Sequence, residues 1–159
     1  MRRLAAVVER ITDAAGVLAG AATLVLTVMV TGGVVARRVL NAPLLFVEEV
    51  SGYLVLAIVF LGLAYTLKDG GHIRVDVVFG RLTGAVRRAT QAACLVVALV
   101  WAGFVVAGTW RLVEEYYTQG VLSFAYLQTP LWIPGTAMVA GAVLLALQVL
   151  ALLLRLDRD

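Results

Sequence analysis

The sequence predicts an all-α integral membrane protein with four transmembrane helices and short amphipathic interfacial helices. Of the 159 residues, 62% are hydrophobic, and the mean hydropathy is +0.98. Only 14% are charged, whereas a soluble domain carries about 25% charged residues. So little polar surface cannot enclose a soluble core, and we therefore expect lipid to surround most of the chain.

The spacing of charged residues divides the chain into four spans within a single membrane domain of residues 1–159. The first three uncharged runs contain between 18 and 23 residues. A helix of about 20 residues crosses a hydrocarbon core that is ~30 Å thick. The predicted spans are residues 14–36, 50–67, 89–110 and 133–154.

The fourth span lies within an uncharged run of 39 residues from Tyr116 to Leu154, which is nearly long enough for two spans. Polar residues and two prolines interrupt residues 116–134, so this part suits the membrane interface. Tyr126 and Trp132 are its expected aromatic anchors. We therefore predict only one span in this run.

Two charged segments, residues 2–13 and 74–87, have apolar residues at helical spacing. In the first segment, Leu4, Val7 and Ile11 fall on one helical face. This pattern is typical of a short amphipathic helix that lies on the membrane surface. The sequence therefore predicts one interfacial helix at the amino terminus and another in the second connection; for the first, a frayed terminus is the alternative.

The distribution of basic residues predicts the orientation. With four spans, the amino terminus, the second connection and the tail share one side of the membrane, and they hold ten of the thirteen Lys and Arg residues. The other side holds only Arg37, Arg38 and Arg111. Because cytoplasmic loops carry the excess of basic residues, both termini are expected in the cytoplasm.

No catalytic, redox or nucleotide-binding constellation is present in the sequence. A single histidine cannot supply two axial haem ligands. The single cysteine, Cys94, cannot form an internal dithiol pair, and we expect it to be buried and inert. The net charge of +3 is modest and lies in the loops, so we expect membrane lipid rather than nucleic acid as its partner. The chain is therefore predicted not to be an enzyme.

Transport by the chain alone is also disfavoured. Charged residues within membrane helices mark ion and proton pathways, but all four predicted spans lack them. Secondary transporters usually contain internal repeats, and the sequence shows no convincing repeat. These features favour a membrane subunit that works with a larger partner.

The most distinctive polar residues flank the second span. Arg37 and Arg38 end the first span, while Glu48 and Glu49 lie in the first turn of the second span on the same side of the bilayer. Ion pairs between them are therefore geometrically possible. Acidic residues at this position also complement the helix dipole, so a local role at the helix end is the alternative to contact with a partner.

The residues beyond the second span have two interpretations as well. His72 and Asp76 follow its end. They are either cytoplasmic structural residues that cap the interfacial helix or part of a functional site.

The chain resembles the small membrane subunit, the Q or DctQ-type subunit, of the tripartite ATP-independent periplasmic (TRAP) transporters. The resemblance covers almost the whole chain. Phe46 and Val47 depart from the family, in which a tryptophan is expected just before the acids. The similar residues are, in order, Arg37-Arg38, Asn41, Pro43, Glu48-Glu49, residues 60–64, residues 71–76 and residues 129–134.

The resemblance implies a function in a bacterial inner membrane. In such systems a periplasmic solute-binding protein captures an organic anion such as a carboxylate, and a large M or DctM-type subunit imports it with sodium. The small subunit is expected to act as a scaffold, and sodium is expected to bind the large subunit, so no cofactor is assigned to this chain. The candidate partner contacts are Arg37, Arg38, Glu48, Glu49, Tyr53, Gly62, His72, Arg74 and Asp76. The alternatives are a small homo-oligomeric four-helix exporter or channel, and a membrane anchor for a signalling or redox protein.

Overall fold

A computed structural model describes residues 2–68 and 84–156 of the chain. These residues form α1 (Arg2–Val39), α2 (Phe46–Lys68), α3 (Gly84–Thr118) and α4 (Trp132–Leu156). Each helix contains a stretch that is long and apolar enough to cross a membrane, which confirms the prediction of four such helices. His72, Arg74, Asp76 and most of the predicted interfacial helix over 74–87 lie outside the described residues.

α1 is one uninterrupted helix of 38 residues. The sequence predicted a separate interfacial helix over residues 2–13, and this division is not confirmed. The charged residues that marked its end, Arg10 and Asp13, continue the helix. Arginine favours helices and aspartate is tolerated in them, so nothing local interrupts the backbone there. At about 57 Å, α1 is nearly twice as long as a bilayer core is thick.

The two connections that the structure describes begin with left-handed residues. After α1, Asn41 has a φ of 49°, and Pro43 follows it. After α3, Gly120 has a φ of 62°, the Val121 N–H donates to the Tyr116 carbonyl at 3.0 Å, and the Gly120 N–H donates to the Tyr117 carbonyl at 3.4 Å. This is a Schellman motif, in which glycine adopts the left-handed conformation without a steric penalty.

The helices pack in the order α1, α2, α4, α3, with a smaller direct contact between α1 and α4. Glycines allow the closest approaches between neighbours. A Cβ at Gly141 of α4 would lie 2.3 Å from the Phe60 carbonyl oxygen of α2, and one at Gly16 of α1 would lie 2.5 Å from the Tyr65 ring. Small residues at such positions let membrane helices pack closely.

Small residues dominate the interior of the protein, while many large apolar residues face outward. Ala64, Ala102 and Ala142 are at most 1% exposed, whereas Phe104 and Val28 are more than 70% exposed. Within the four candidate spans, only 6 to 28% of residues are buried by the chain itself. Cys94 also lies on the surface, so the expectation that it is buried was wrong. This distribution suits a protein whose solvent is lipid.

Candidate functional site at the Glu49 carboxylate and the α3–α4 loop

The described polar contacts between distant parts of the chain concentrate at one end of the molecule. The α1–α2 connection (residues 40–45) and the α3–α4 loop (residues 119–131) both lie at the end opposite the amino terminus, because consecutive helices alternate in direction. The first turn of α2 lies between them. This end of the molecule therefore brings together residues that are far apart in the sequence.

Glu49 binds the α3–α4 loop through both of its carboxylate oxygens. The Leu127 N–H donates to Oε2 at 2.8 Å, and the Thr129 N–H donates to Oε1 at 3.4 Å. The Tyr53 hydroxyl, one helical turn along α2, donates to Oε1 at 2.7 Å. Glu49 is only 7% exposed. A carboxylate can accept several hydrogen bonds at once, so this side chain ties the start of α2 to a loop 78 residues later in the chain.

The loop that Glu49 binds has an ordered backbone of its own. The Ser123 N–H donates to the Thr129 carbonyl at 2.9 Å, and the Leu131 N–H donates to the Val121 carbonyl at 3.1 Å. These bonds close a short hairpin-like loop. The Ser123 hydroxyl also accepts a hydrogen bond from the Ala125 N–H at 3.1 Å. The carboxylate therefore binds a folded turn.

An aromatic pair joins the two helix ends below this loop. The rings of Tyr117, in the last turn of α3, and Trp132, at the start of α4, pack edge to face with centroids 5.7 Å apart. Aromatic pairs favour this geometry because the positive edge of one ring meets the negative face of the other. The two ends of the loop are thus held next to each other.

Glu48 points elsewhere and pairs with α1. Its Oε1 lies 3.4 Å from an Arg37 guanidinium nitrogen, and the two side chains are 79% and 65% exposed. The described residues provide no ion pair for Arg38. The four charged residues that the sequence placed together are thus divided: Arg37 meets Glu48, while Glu49 accepts hydrogen bonds from the loop.

Gly62 lies on a groove between α1 and α2, on the part of the bundle nearer the amino terminus. The groove has a volume of about 350 Å³ and includes Gly16 and Gly20 in its lining. A Cβ at Gly62 would meet nothing within 4 Å. The hydroxyls of Thr23 and Thr66 in its wall donate to their own helix backbones at 2.9 Å. The groove thus combines small residues with larger apolar ones such as Ile58 and Leu63.

Lys68 and Asp13 form a second ion pair near the other end of α2. With the Arg37–Glu48 pair, it brackets the length over which α1 and α2 run side by side. No group of three or more His, Cys, Asp or Glu side chains suited to a metal ion occurs among the described residues.

Sequence reasoning selected Glu49 and Tyr53 but missed the groups they act with. The helical spacing of four residues places Glu49 and Tyr53 on the same face, and this spacing is visible in the sequence. The loop donors are backbone N–H groups, which every residue except proline carries. The residue types in the loop therefore gave no indication that it would bind Glu49.

A family model covers the helices and connections described above. The model for the DctQ component of the tripartite ATP-independent periplasmic transporters matches residues 26–159. This range begins within α1 and includes Glu49, the α3–α4 loop and the other three helices. No curated protein gives a significant match to the chain. The matched range covers most of the sequence, and the family is a transporter component rather than an enzyme. The chain therefore belongs to the DctQ family, the small membrane component of TRAP transporters.

Proposed function

We propose that this chain is a scaffold subunit that supports a large DctM-type subunit in the bacterial inner membrane. The large subunit moves an organic anion, such as a carboxylate, that a periplasmic solute-binding protein delivers, and sodium drives the uptake by binding the large subunit. Membership of the DctQ family supports the tripartite assembly. The position of the buried Glu49 carboxylate supports a scaffold role for this chain and a transport role for the large subunit.

The observation that carries the scaffold role is the position of the buried charge. Glu49 is the only charged side chain that is buried among the described residues. It lies at the beginning of α2, and both of its oxygens are engaged by the loop and Tyr53. Paths for ions and charged solutes through membranes need polar or charged groups along their length. A chain whose buried carboxylate holds its own loop is better suited to support a transporter than to conduct the solute.

The groove between α1 and α2 is the surface that best fits a helix of the large subunit. Its small residues include Gly20 and Gly62, where a Cβ would meet nothing within 4 Å, and they leave room for a neighbouring backbone to approach. Helix association in lipid depends on close packing, because apolar burial alone gives no preference for protein over lipid. Filling the groove should therefore weaken the assembly.

The excess of basic residues supports an orientation with both termini in the cytoplasm. The Arg37–Glu48 pair, Glu49 and the α3–α4 loop then face the periplasm, where the solute-binding protein arrives. The groove lies nearer the cytoplasmic side.

Co-purification from native membranes tests the scaffold role. The large subunit is expected to co-purify with the tagged chain at a constant molar ratio. Replacing Gly62→Leu, which fills the groove, should reduce the recovered large subunit at least several-fold. Gly103→Leu is the matched control, because a Cβ at Gly103 on α3 also meets nothing within 4 Å but lies outside the groove.

The opposite results would contradict the proposal. Recovery of the chain only as an oligomer of itself would favour the small exporter or channel. Equal recovery of the large subunit with both leucine variants would show that the groove does not contact the large subunit.

A further inference from the structure

We infer that the α3–α4 loop anchors this end of the protein in the lipid interface, with the side chains of Phe124, Tyr126 and Leu127 in contact with the bilayer. The proposal concerns a surface of this chain and does not depend on which solute the transporter carries.

The tip of the loop presents apolar and aromatic side chains outward. Phe124 is fully exposed, Tyr126 is 71% exposed, and Leu122 and Leu127 are each 47% exposed. An ordered loop rarely exposes such residues to water, because apolar surface that stays hydrated does not gain the favourable free energy of burial. A contiguous patch of this kind marks contact with a membrane or with another protein.

The depth of the loop favours the membrane. Leu127 lies within a hydrogen bond of Glu49, in the first turn of α2. The two ends of the loop meet at the Tyr117–Trp132 pair, where α3 ends and α4 begins. Both the tip and the base of the loop are therefore held at the level where α2 and α4 begin their apolar stretches. That is the level of the membrane–water interface, where tyrosine and tryptophan are enriched.

The charge pattern points the same way. No charged residue occurs from Tyr116 to Leu154, so the loop itself and the start of α4 lack charged side chains. The nearest charge on the α3 side is Glu115, which accepts a hydrogen bond from the Gln119 side chain at the base of the loop, away from its tip. Protein–protein contacts typically surround their apolar centre with a polar rim. An uncharged aromatic loop that is continuous with two lipid-facing helices fits lipid better.

Glu49 gives this anchor its fixed geometry. Its two oxygens accept hydrogen bonds from Leu127 and Thr129 on either side of the turn. A loop that is already ordered loses less conformational entropy when its side chains enter the interface. The buried carboxylate is therefore a positioning residue for the aromatic tip.

Spin-label accessibility in vesicles tests the anchor directly. Cys94 is exposed and must first be replaced by alanine. A nitroxide is then attached at Phe124→Cys in the full chain, which is reconstituted in vesicles of phosphatidylcholine and phosphatidylglycerol. Collisions with oxygen, which concentrates in lipid, are compared with collisions with a nickel chelate, which stays in water. Glu48→Cys is the control, since Glu48 lies at the same end of the protein and is exposed.

The label at position 124 is expected to show an oxygen-to-nickel collision ratio several-fold higher than the label at position 48. Equal ratios would overturn the proposal, because they would place the loop tip in water. Protection of the label from both reagents in vesicles that hold the complete transporter would also overturn it, in favour of a protein contact. Tyr126→Cys serves as the second label site if the first variant does not fold.

Discussion

At the scale of single residues, two adjacent glutamates have different environments because of helix geometry. Successive residues on an α-helix point about 100° apart. Glu48 therefore faces solvent and Arg37, whereas Glu49 faces the α3–α4 loop and is 7% exposed. The exposed ion pair is expected to contribute less than about 1 kcal/mol. Glu49, in contrast, accepts the hydrogen bonds that hold the α3–α4 loop against α2.

Replacing Glu49→Gln should release the loop. Glutamine keeps one acceptor oxygen but turns the other into an NH₂ group, which cannot accept the hydrogen bond of the Leu127 or Thr129 N–H that it would face. We expect hydrogen exchange of the Leu127 amide to accelerate by about tenfold, because hydrogen bonds to charged acceptors are the stronger ones. Exchange measured by mass spectrometry on the detergent-solubilised chain provides the comparison.

Glu48→Gln is the matched control for this substitution. It removes the same charge one residue earlier but leaves the loop donors satisfied, so exchange at Leu127 should remain at the wild-type rate. Equal acceleration in both variants would show that net charge at the helix end orders the loop, rather than the Glu49 hydrogen bonds.

The sequence could predict one half of this site. The acidic pair and Tyr53 were identifiable from their position and helical spacing. Their partners were not, because Leu127 and Thr129 contribute backbone groups and lie 78 and 80 residues away. Sequence reasoning assigned residues 116–134 to the interface on composition, but composition gave no indication that a buried carboxylate fixes the loop.

At the scale of elements, uncharged runs located the helices but not their ends. The sequence placed the end of the third span at residue 110, next to Arg111, yet α3 continues to Thr118. Arginine and glutamate favour helices, so α3 continues past them beyond the apolar stretch until the Schellman motif at Gly120. Span lengths follow from hydropathy, whereas helix lengths follow from backbone propensity and capping.

Helix packing at this scale depends on Gly141. The Cβ of Gly141→Ala would lie 2.3 Å from the Phe60 carbonyl oxygen, and a backbone atom cannot move aside as a flexible side chain can. We expect α2 and α4 to separate and the free energy of unfolding to fall by about 1–3 kcal/mol, the usual effect of overpacking. Titration with a denaturing detergent, followed by circular dichroism, measures the change.

Gly103→Ala provides the comparison for this glycine. A Cβ there meets nothing within 4 Å, and alanine favours the helix over glycine by about 1 kcal/mol or less. This variant should therefore unfold at the same detergent concentration as the wild type or at a higher one. If Gly141→Ala matched it, the contact between α2 and α4 would have to be looser than the structure shows.

At the scale of the whole molecule, four helices in a row present most of their apolar residues outward. Only 28% of the span residues of α4, the most buried helix, are covered by the chain itself. In such an arrangement the chain buries few of its own side chains, and its large apolar outer surface is available to lipid or to other membrane proteins. The architecture is consistent with membership of the DctQ family, the small membrane component of TRAP transporters.

The orientation of the molecule gives a prediction at this scale. Reporter fusions after Gly120 and after Asp159 should report opposite sides of the membrane, with the first periplasmic and the second cytoplasmic. Four spans require this result, and the excess of basic residues sets its direction. Fusions that report the same side would contradict the four-span topology.

The most direct test of the scaffold role is solute uptake into reconstituted vesicles. Vesicles that contain this chain and the large subunit, supplied with the binding protein and a sodium gradient, are expected to accumulate a radiolabelled organic anion. Omitting this chain should reduce uptake to the level of empty vesicles, and vesicles that contain only this chain should show none. Uptake by the chain alone, or undiminished uptake without it, would contradict its role as a supporting subunit that does not itself carry the solute.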